Sequence, residues 1–585
     1  MRFASEGTAP AANTPRDGPG DTIMGRWTDS QFLVTCSLAL FCLCLATRIP
    51  LRSRLLSGWD PVQFALGMHH FDISQYQPHP PGYILYVGLA KLVFWFVHDD
   101  NLSLTALAAF FSTLSTVLIF LLAFYMYGRR TALLASAVWA TCPLVWFHGL
   151  IGEIYAAAGF AGLATALSVF LFLRSPSRWR AAGVGGVYAL AAGLRPDQLL
   201  LLAPLFLFPF WRSRACRRWA LFALCPAMLF YLAWYIPTVA SVGGYSKYAR
   251  LVGGQFSDVV KKGSIFLGAS PVAHIWMLTR LASGLAQGLL PLLIILAIPW
   301  TLRRPSARTS WTRRNEVLLL IVWALPFLLC YSLIFIGRVA YCVACLPPVL
   351  LLLSRWVVLR VDGSDQGGAK RFLSLLFFSI AINVGVFLLV PRIPEPAATG
   401  RSYRLSQFLP EALNRSILSC EYDQLRFDQA VKRRYLTQIR KLLSAGNSAV
   451  VLIQLGPPDC LNSRIVQYYF PNVPVYVALG LSDPFAEFRR ALPNLNGKFL
   501  NRARLLEEAK GGERRPTLAV AKDRVLLLHS RRLHVEVGVR DGSAREIVTE
   551  GHSDRLDIYK IYLLSLTPTS SVDVTAGSQT ISIVE

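Results

Sequence analysis

Two short polar segments follow the first hydrophobic stretch of this sequence, and their residue types suit catalysis. One contains Trp59 and Asp60, and the other is the proline-rich turn 77–83, which holds His79 between two prolines. A carboxylate can act as a general base toward a hydroxyl, and a rigid imidazole can bond a hydroxyl or phosphate, or orient the carboxylate. Carboxylates at membrane depth are costly and usually line a cavity, so Asp60 is a candidate functional residue. The alternative is a solvated loop acid or a helix cap.

The elements that position these residues are those of a membrane protein. The 585 residues are 54% hydrophobic, and repeated apolar runs are long enough to cross about 30 Å of hydrocarbon. The net charge of +25 comes largely from Lys and Arg between these runs. The positive-inside rule explains this distribution better than nucleic-acid binding, so we expect no nucleic-acid partner. Residues 1–30 are expected to form a disordered cytoplasmic tail and not a signal peptide.

The basic loops predict the topology. Clusters of arginine recur in every second loop, as expected for cytoplasmic connections. We therefore predict a polytopic all-α membrane protein with about eleven transmembrane helices, a cytoplasmic amino terminus and an extracytoplasmic C-terminal region. The predicted spans are 31–49, 102–127, 131–149, 153–173, 181–195, 197–211, 219–240, 274–302, 316–336, 339–359 and 372–390.

One apolar run is excluded from the crossings. Residues 83–97 are short for a span and are followed by Asp99 and Asp100 without a basic residue, which favours a helix in the membrane interface. Counting this run as a crossing would place the later arginine clusters outside. The first external loop is therefore predicted to run from 50 to 101, within a transmembrane domain 31–390.

Acidic residues of the predicted membrane domain gather on its outer side. Asp60, Glu153 and Asp197 each lie at the outer end of a predicted span, so they are expected to converge on one cavity. Solvated loop acids and helix caps remain the alternative for Glu153 and Asp197. The same side carries Asp72, Asp99, Asp100 and Asp258.

Two arginines on this side run against the positive-inside trend. Arg195 precedes Pro196 between two short spans, and Arg338 lies before another span. A guanidinium suits a phosphate because it is a fixed fork of donors. The alternatives are ion pairs with Asp197 or Glu153, or contact with lipid head groups. The loop 241–270 adds Lys247, which either helps to hold a phosphate or contacts lipid, and its glycines suggest a mobile lid.

Five short motifs share the predicted outer side. They are Trp59-Asp60, His79-Pro80-Pro81-Gly82-Tyr83, Gly152-Glu153-Ile154-Tyr155, Gly193-Leu194-Arg195-Pro196-Asp197 and Arg338-Val339-Ala340-Tyr341 with Pro347-Pro348. In this order they resemble the GT-C superfamily of membrane glycosyltransferases, in particular the protein O-mannosyltransferase and bacterial aminoarabinose transferase branch. The resemblance covers about 31–390. It implies inverting transfer of one sugar from a polyprenyl-phosphate-linked donor to a lipid, glycan or protein hydroxyl, at the outer face of a bacterial inner membrane.

The resemblance also implies roles. Asp60 corresponds to the first-loop acid and is the expected general base, while Arg195 and Arg338, with Lys247, would stabilise the departing phosphate. The remaining expected substrate-binding residues are His79, Glu153, Tyr155, Asp197 and Tyr341. Many relatives have two adjacent acids in the first loop, whereas Asp60 is followed by Pro61. This departure weakens a metal site, so no cofactor is firmly implied, although a divalent cation stays possible.

The region 391–585 is expected to be a separate soluble α/β domain. Its pattern predicts a helix at 436–445 and another at 464–469, with strands at 450–453, 473–479, 517–521, 525–528 and 533–537. It contains no nucleophile motif, phosphate loop or metal spacing, so acceptor recognition or packing over the cavity is expected. Cys420 and Cys460 lie in this region, and their spacing leaves open whether they pair.

A transporter or flippase of a lipid-linked glycan is the alternative function. Such a protein is expected to show repeated halves and broken helices at the membrane midplane. The sequence shows no internal repeat, and its polar groups gather on one predicted side. These observations favour the glycosyltransferase.

Overall fold

The computed structural model of the chain describes most of the membrane region and parts of the C-terminal region. The described residues are 28–261, 263–298, 314–361, 368–390, 420–444, 448–454, 461–479, 505–506, 517–519, 524–530, 535–540, 543–547, 559–566, 571–576 and 579–584. Three predicted features lie wholly or partly outside the described residues. They are the tail up to residue 27, Cys460, and two arginine-rich loops at 303–314 and 360–371.

Helices dominate the described part of the chain. They are α1 (Asp29–Leu51), α2 (Trp59–His69), α3 (Ile84–Val97), α4 (Asp100–Tyr127), α5 (Arg129–Thr141), α6 (Pro143–His148), α7 (Tyr155–Arg174), α8 (Arg178–Leu194), α9 (Gln198–Leu201), α10 (Ala203–Arg212), α11 (Arg214–Arg217), α12 (Ala220–Ala240), α13 (Tyr245–Lys261), α14 (Pro271–Ala297), α15 (Arg314–Leu329), α16 (Cys342–Val361), α17 (Gly368–Leu389), α18 (Tyr422–Leu443) and α19 (Ser463–Tyr469).

Within the described residues, eight helices are long and apolar enough to cross a membrane. They comprise α1, α4, α7, α12, α14, α15 with the π-turn after it, α16 and α17. The other three predicted spans contain shorter helices, namely α5 with α6, α8, and α9 with α10. Large apolar side chains such as Leu38, Leu229 and Phe377 are exposed on these helices, as expected for surfaces that face lipid.

Small residues allow the helices of the bundle to approach closely. A Cβ atom at Gly185 of α8 would collide with the carbonyl oxygen of Ala223 on α12. A Cβ atom at Gly159 of α7 would lie 2.8 Å from Val343 Cγ1 on α16. Packing of small residues is the usual way in which membrane helices associate, because apolar burial gives little driving force in lipid.

The segment after α1 packs against the bundle, since α2 and α3 contact α4 and α3 also contacts α8. It contains α2, the turn 77–83 and the apolar α3, whose Leu92, Trp95 and Phe96 are exposed. The loop 241–270, whose glycines suggested a mobile lid, contains the helix α13 at its centre. Tyr248 of α13 donates to the Pro81 carbonyl at 3.1 Å, and Gln255 accepts from Tyr76 at 2.7 Å. These bonds fasten α13 to the proline-rich turn.

The described strands of the C-terminal region form two five-stranded sheets. One has the order β2-β1-β5-β8-β7, with β1 parallel to β2 and β5, and the other has the order β3-β4-β10-β9-β6. The predicted helices and strands up to residue 540 are present. Four more strands follow that the pattern analysis did not include. The strands are β1 (Ser448–Gln454), β2 (Val475–Leu479), β3 (Leu505–Leu506), β4 (Thr517–Ala519), β5 (Arg524–Ser530), β6 (Val535–Arg540), β7 (Ser543–Ile547), β8 (Tyr559–Ser565), β9 (Ser571–Ala576) and β10 (Gln579–Val584).

The C-terminal helices share a core with the first loop. Phe64 and Met68 of α2 belong to the same apolar cluster as Phe427 of α18 and Ile465 of α19. Polar contacts reinforce this packing: Arg464 donates to the Gln75 carbonyl at 2.8 Å, and burial lowers the pKa of its guanidinium to about 10. The C-terminal helices therefore help to hold the first loop in place.

Candidate active site

Asp60 lies in the first turn of α2, next to the proline-rich turn. Its Oδ1 is 4.0 Å from His79 Nδ1, and both side chains are mostly buried, with 22% and 17% of their surface exposed. An acid in a first helical turn is also electrostatically ordinary, since it meets the positive end of the helix dipole. The turn nevertheless places an imidazole beside this particular acid.

His79 is held by Gln63 and not by Asp60. Gln63 Oε1 accepts from the His79 backbone N–H at 3.1 Å and lies 2.7 Å from His79 Nδ1. In this arrangement Nδ1 carries the proton, and Nε2 of the neutral ring is an acceptor. Burial lowers the pKa of His79, the charges of Arg338 and Arg195 lower it further, and Asp60 opposes them. The imidazole is therefore neutral near pH 7.

Glu153 and Arg338 form a pair in the loops before α7 and α16. Arg338 Nη1 donates to Glu153 Oε1 at 2.8 Å, and His148 Nδ1 lies 3.3 Å from Glu153 Oε2. Burial would raise the pKa of Glu153, but the charge of Arg338 and the contact with His148 lower it below its usual value. Burial would likewise lower the pKa of Arg338, but Glu153 and Asp60 raise it. Both groups are therefore charged, and Arg338 lies within electrostatic range of Asp60.

Arg195 lies between α8 and α9 with its guanidinium turned into the cluster. Its Nε donates to both carboxylate oxygens of Asp197 at 3.0 Å, and only 4% of the residue is exposed. The guanidinium carbon lies 4.4 Å from the ring centre of Tyr341 and 5.2 Å from that of Tyr155. Burial would lower the pKa of Arg195, but Asp197 raises it well above its usual value.

Arg195 retains one donor for a ligand. Its buried Nη1 has no hydrogen-bond partner among the residues that the structure describes. A buried donor of this kind costs free energy unless something binds it. The ion pairs given as alternatives are thus present for both arginines, but the pair with Asp197 uses only the Nε–H of the Arg195 guanidinium.

Aromatic rings connect the charged groups. Tyr155 and Tyr341 have ring centres 5.4 Å apart, and His148 lies against Tyr155 at 5.2 Å. Tyr83 contacts His79 at 5.0 Å. The structure therefore brings together eight of the nine predicted site residues, namely Asp60, His79, Glu153, Tyr155, Arg195, Asp197, Arg338 and Tyr341.

Lys247 is the predicted site residue that the structure does not bring into this cluster. It is exposed on α13, and no contact with the other site residues is present in the described part of the chain. Its expected part in holding a phosphate remains a prediction. Tyr248, the next residue, is the one that reaches the proline-rich turn.

Three polar residues near the site were missed by the sequence analysis. Gln63 follows Asp60 by three residues on α2, so helical spacing places both on one face and was a usable signal. His148 ends the short helix α6, and nothing in its neighbours distinguishes it from a core histidine. Arg48, buried in the last turn of α1, donates to Ser112 Oγ and to the Ala140 carbonyl, which connects α1 to α4 and α5.

The described residues contain no group of three or more His, Cys, Asp or Glu side chains that could hold a metal ion. Two acids of the site, Glu153 and Asp197, are instead paired with arginines. The arrangement offers a partly exposed carboxylate, a neutral imidazole and two guanidinium groups. Such groups suit proton removal from a hydroxyl beside a bound anion.

The fold and the site define a multi-spanning membrane protein whose charged side chains gather in loops at one end of its helix bundle. No protein-family model matches the chain. The chain is 24% identical over 403 residues to the undecaprenyl phosphate-alpha-4-amino-4-deoxy-L-arabinose arabinosyl transferase of Pectobacterium carotovorum subsp. carotovorum, covering 62% of this chain and 66% of the relative. The transferase of the same name from Erwinia tasmaniensis is 24% identical over 369 residues, covering 59% and 63%. The chain thus matches slightly less than two thirds of the length of these relatives.

Solved structures extend the similarity to nearly the whole fold. ArnT from Cupriavidus metallidurans bound to undecaprenyl phosphate matches with a TM-score of 0.54 at 12% identity, over 91% of this chain and 97% of that one. Its apo structure matches with a TM-score of 0.50, over 92% and 98%. At this identity the structural likeness establishes the fold. Together with the named relatives it confirms the predicted resemblance to GT-C glycosyltransferases of the aminoarabinose transferase branch.

Proposed function

We propose that this protein is an inverting glycosyltransferase that moves one sugar from a polyprenyl-phosphate-linked donor to an acceptor hydroxyl at the outer membrane face. The observation that carries the proposal is the buried Arg195, whose Nη1 has no partner among the described residues, in one cluster with Arg338 and the Asp60 carboxylate. The names of the relatives and the undecaprenyl phosphate bound to the solved ArnT support a donor of this kind.

Asp60 is the proposed general base. The attacking hydroxyl must lose its proton as its oxygen bonds the anomeric carbon, and the partly exposed carboxylate of Asp60 accepts it. Attack from the face opposite the phosphate inverts the anomeric centre. His79 Nε2 accepts a hydrogen bond from a sugar or acceptor hydroxyl, while Gln63 fixes the ring.

Arg195 and Arg338 are the proposed phosphate ligands. The phosphate leaves as a stable anion, so it needs positive charge more than a general acid. Arg195 Nη1 supplies a pre-positioned donor because Asp197 and the ring of Tyr341 hold the guanidinium. Arg338 is tethered by Glu153 and keeps part of its guanidinium exposed, with 43% of the side chain accessible. Tyr155 completes the aromatic wall beside Arg195.

We further propose the membrane arrangement derived from the basic loops. It has eleven crossings, an interfacial α3 in the first external loop and a cytoplasmic amino terminus. The site then faces the outer side of a bacterial inner membrane, with the region 391–585 as an extracytoplasmic domain. The packing of α18 and α19 against the first loop supports placing that region beside the site.

Substitution of Asp60 tests the proposed function. In proteoliposomes supplied with undecaprenyl-phosphate-linked aminoarabinose, Asp60→Asn should lower transfer by about 10²- to 10⁴-fold, the usual contribution of a general base. Asp72→Asn is the matched control, because Asp72 lies in the same loop and caps the turn at Ser74, a bond that an asparagine oxygen retains. Transfer near the wild-type rate in Asp60→Asn would show that Asp60 is not the base. Movement of the donor between leaflets without transfer would instead favour a flippase.

A further inference from the structure

A basic cavity lies between the end of α1 and the start of α18. Its volume is about 550 Å³. The α1 side contributes Arg52 and Arg54, and the α18 side contributes Arg426 and Arg433. None of the residues assigned above to catalysis or phosphate binding lines it.

The charge of this cavity is unbalanced. Its four arginines face one carboxylate among the lining residues, that of Asp423. Within the described part of the chain, none of the four arginines forms an ion pair. Burial and the neighbouring charge of Arg54 lower the pKa of Arg52, and the charge of Asp99 opposes them. Like charges brought together at a folded junction favour binding of an anion.

Hydrogen bonds across the junction between α1 and α18 fix the shape of the cavity. Gln429 of α18 accepts from the backbone N–H groups of Arg54 and Leu55 at 2.9 and 2.8 Å, and donates to Ser53 Oγ at 2.8 Å. Asn101 donates to the Ser53 carbonyl at 2.9 Å. These bonds fix the backbone that carries two of the arginines relative to the helix that carries the other two.

The cavity adjoins the apolar helix α1. Val34, Leu38 and Ile49 are exposed apolar residues that helical spacing places on one side of α1, and Pro50 and Leu51 at the end of this helix line the cavity. The lining itself includes the apolar Pro50, Leu51, Leu425, Phe427 and Ala430. An apolar helix surface that leads to a cluster of arginines matches a molecule with an acyl chain and an anionic head group.

We propose that this cavity binds the phosphate-bearing head group of a membrane lipid, whose chains lie along the exposed face of α1. The phosphate pairs with the arginines of both sides, so the bound lipid bridges the first membrane helix and the C-terminal region. The site is separate from the proposed transferase site and does not depend on that activity. Inorganic phosphate carries the same anionic group as the lipid head group, so it is the second ligand to test.

The test measures binding to the full-length protein purified in a neutral detergent. The probes are dioctanoyl phosphatidylglycerol, dioctanoyl phosphatidylcholine and inorganic phosphate. The variant Arg426→Gln with Arg433→Gln removes two exposed cavity charges of α18. The control variant, Arg440→Gln with Lys441→Gln, removes two exposed charges of the same helix outside the cavity. Thermal unfolding of both variants checks that the helix stays folded.

The double cavity variant should bind phosphatidylglycerol roughly 10- to 30-fold more weakly than wild type. Each of the two removed arginines is expected to contribute about as much to lipid binding as one basic residue at an anionic membrane surface. The control should stay within about twofold of wild type, and phosphatidylcholine should bind weakly to every protein. Equal binding of inorganic phosphate and phosphatidylglycerol, with the same loss in the cavity variant, would overturn the lipid assignment and identify free phosphate as the ligand. Equal binding of phosphatidylglycerol to wild type and cavity variant, or binding to neither, would overturn the site.

Discussion

Replacement of Arg195 by lysine separates charge from geometry at the proposed phosphate site. The native guanidinium uses Nε for Asp197, its face for the ring of Tyr341, and keeps Nη1 for the ligand. A lysine keeps the positive charge but has one ammonium group on a flexible stem. It cannot hold Asp197 and a phosphate in the two fixed directions that the planar fork provides.

The size of the effect follows from the one donor that is lost. A hydrogen bond to a charged group contributes about 1.5–3 kcal/mol, and each 1.4 kcal/mol changes affinity about tenfold. Arg195→Lys should therefore weaken binding of undecaprenyl phosphate by about 10- to 150-fold. The buried position of Arg195 supports the full range, because water does not screen a group that is 4% exposed.

Isothermal titration of the purified protein with undecaprenyl phosphate measures this loss. Arg129→Lys is the matched control, because Arg129 also pairs with an aspartate, Asp29 at 2.8 Å, and belongs to the cytoplasmic clusters of the proposed topology. The control should bind like wild type. Unchanged affinity in a folded Arg195→Lys protein would refute the assignment of Nη1 to the phosphate, and would leave Arg195 as a partner of Asp197 alone.

Two further predictions concern the proline-rich turn. Gly82→Ala should lower the free energy of unfolding by at least about 1–2 kcal/mol, because Gly82 has a φ of 112° and a Cβ would lie 2.6 Å from Ile73 Cδ1. The control Gly88→Ala has open space around the new Cβ and should leave the unfolding temperature unchanged or raise it. Equal unfolding temperatures for the two variants would contradict the predicted strain at Gly82. His79 has a folded pKa below 6.5, so its contribution to stability is complete above pH 6.5 and is lost as the pH falls below that value. His79→Gln should therefore lose less of its unfolding temperature than wild type between pH 7 and 5.5, and parallel curves would contradict the burial of a neutral imidazole.

The membrane part of the fold was predictable because its signals are local. Apolar length predicted the long helices, and Pro196 placed Arg195 between two short spans. The charged motifs indicated side chains that the structure brings together, since each acid or arginine stands at the end of an apolar run, while their roles stay predictions. In contrast, the helix Tyr245–Lys261 was missed because its glycine neighbours suggested turns, while its amphipathic pattern covers a surface that only the folded first loop creates.

Contacts between distant segments were not predictable from one sequence. Gln429 is an ordinary polar residue of an amphipathic helix until folding places it 2.9 Å from the backbone of Arg54, which is 375 positions earlier. His148 likewise could not be assigned to the site from its sequence neighbours, because it joins the site through its contact with Glu153, which pairs with Arg338 from a different loop. The strands β9 and β10 pair as neighbours and have alternating apolar residues, so their local pattern was a usable signal that the sequence analysis missed. The pairing of β6 with β9 and of β4 with β10 joins segments that are farther apart in the chain.

The most direct test of the central claim measures chemistry and binding on the same Asp60→Asn protein. In a single-turnover reaction with saturating lipid-linked donor, the proposal predicts that sugar transfer slows by at least about 100-fold. Affinity for undecaprenyl phosphate should stay within about threefold of wild type, because Arg195 and Arg338 remain. A transfer rate close to wild type would contradict the role of Asp60 as the base. A loss of affinity that fully accounts for the slower transfer would also contradict it, because Asp60 would then organise the phosphate site and not the proton transfer.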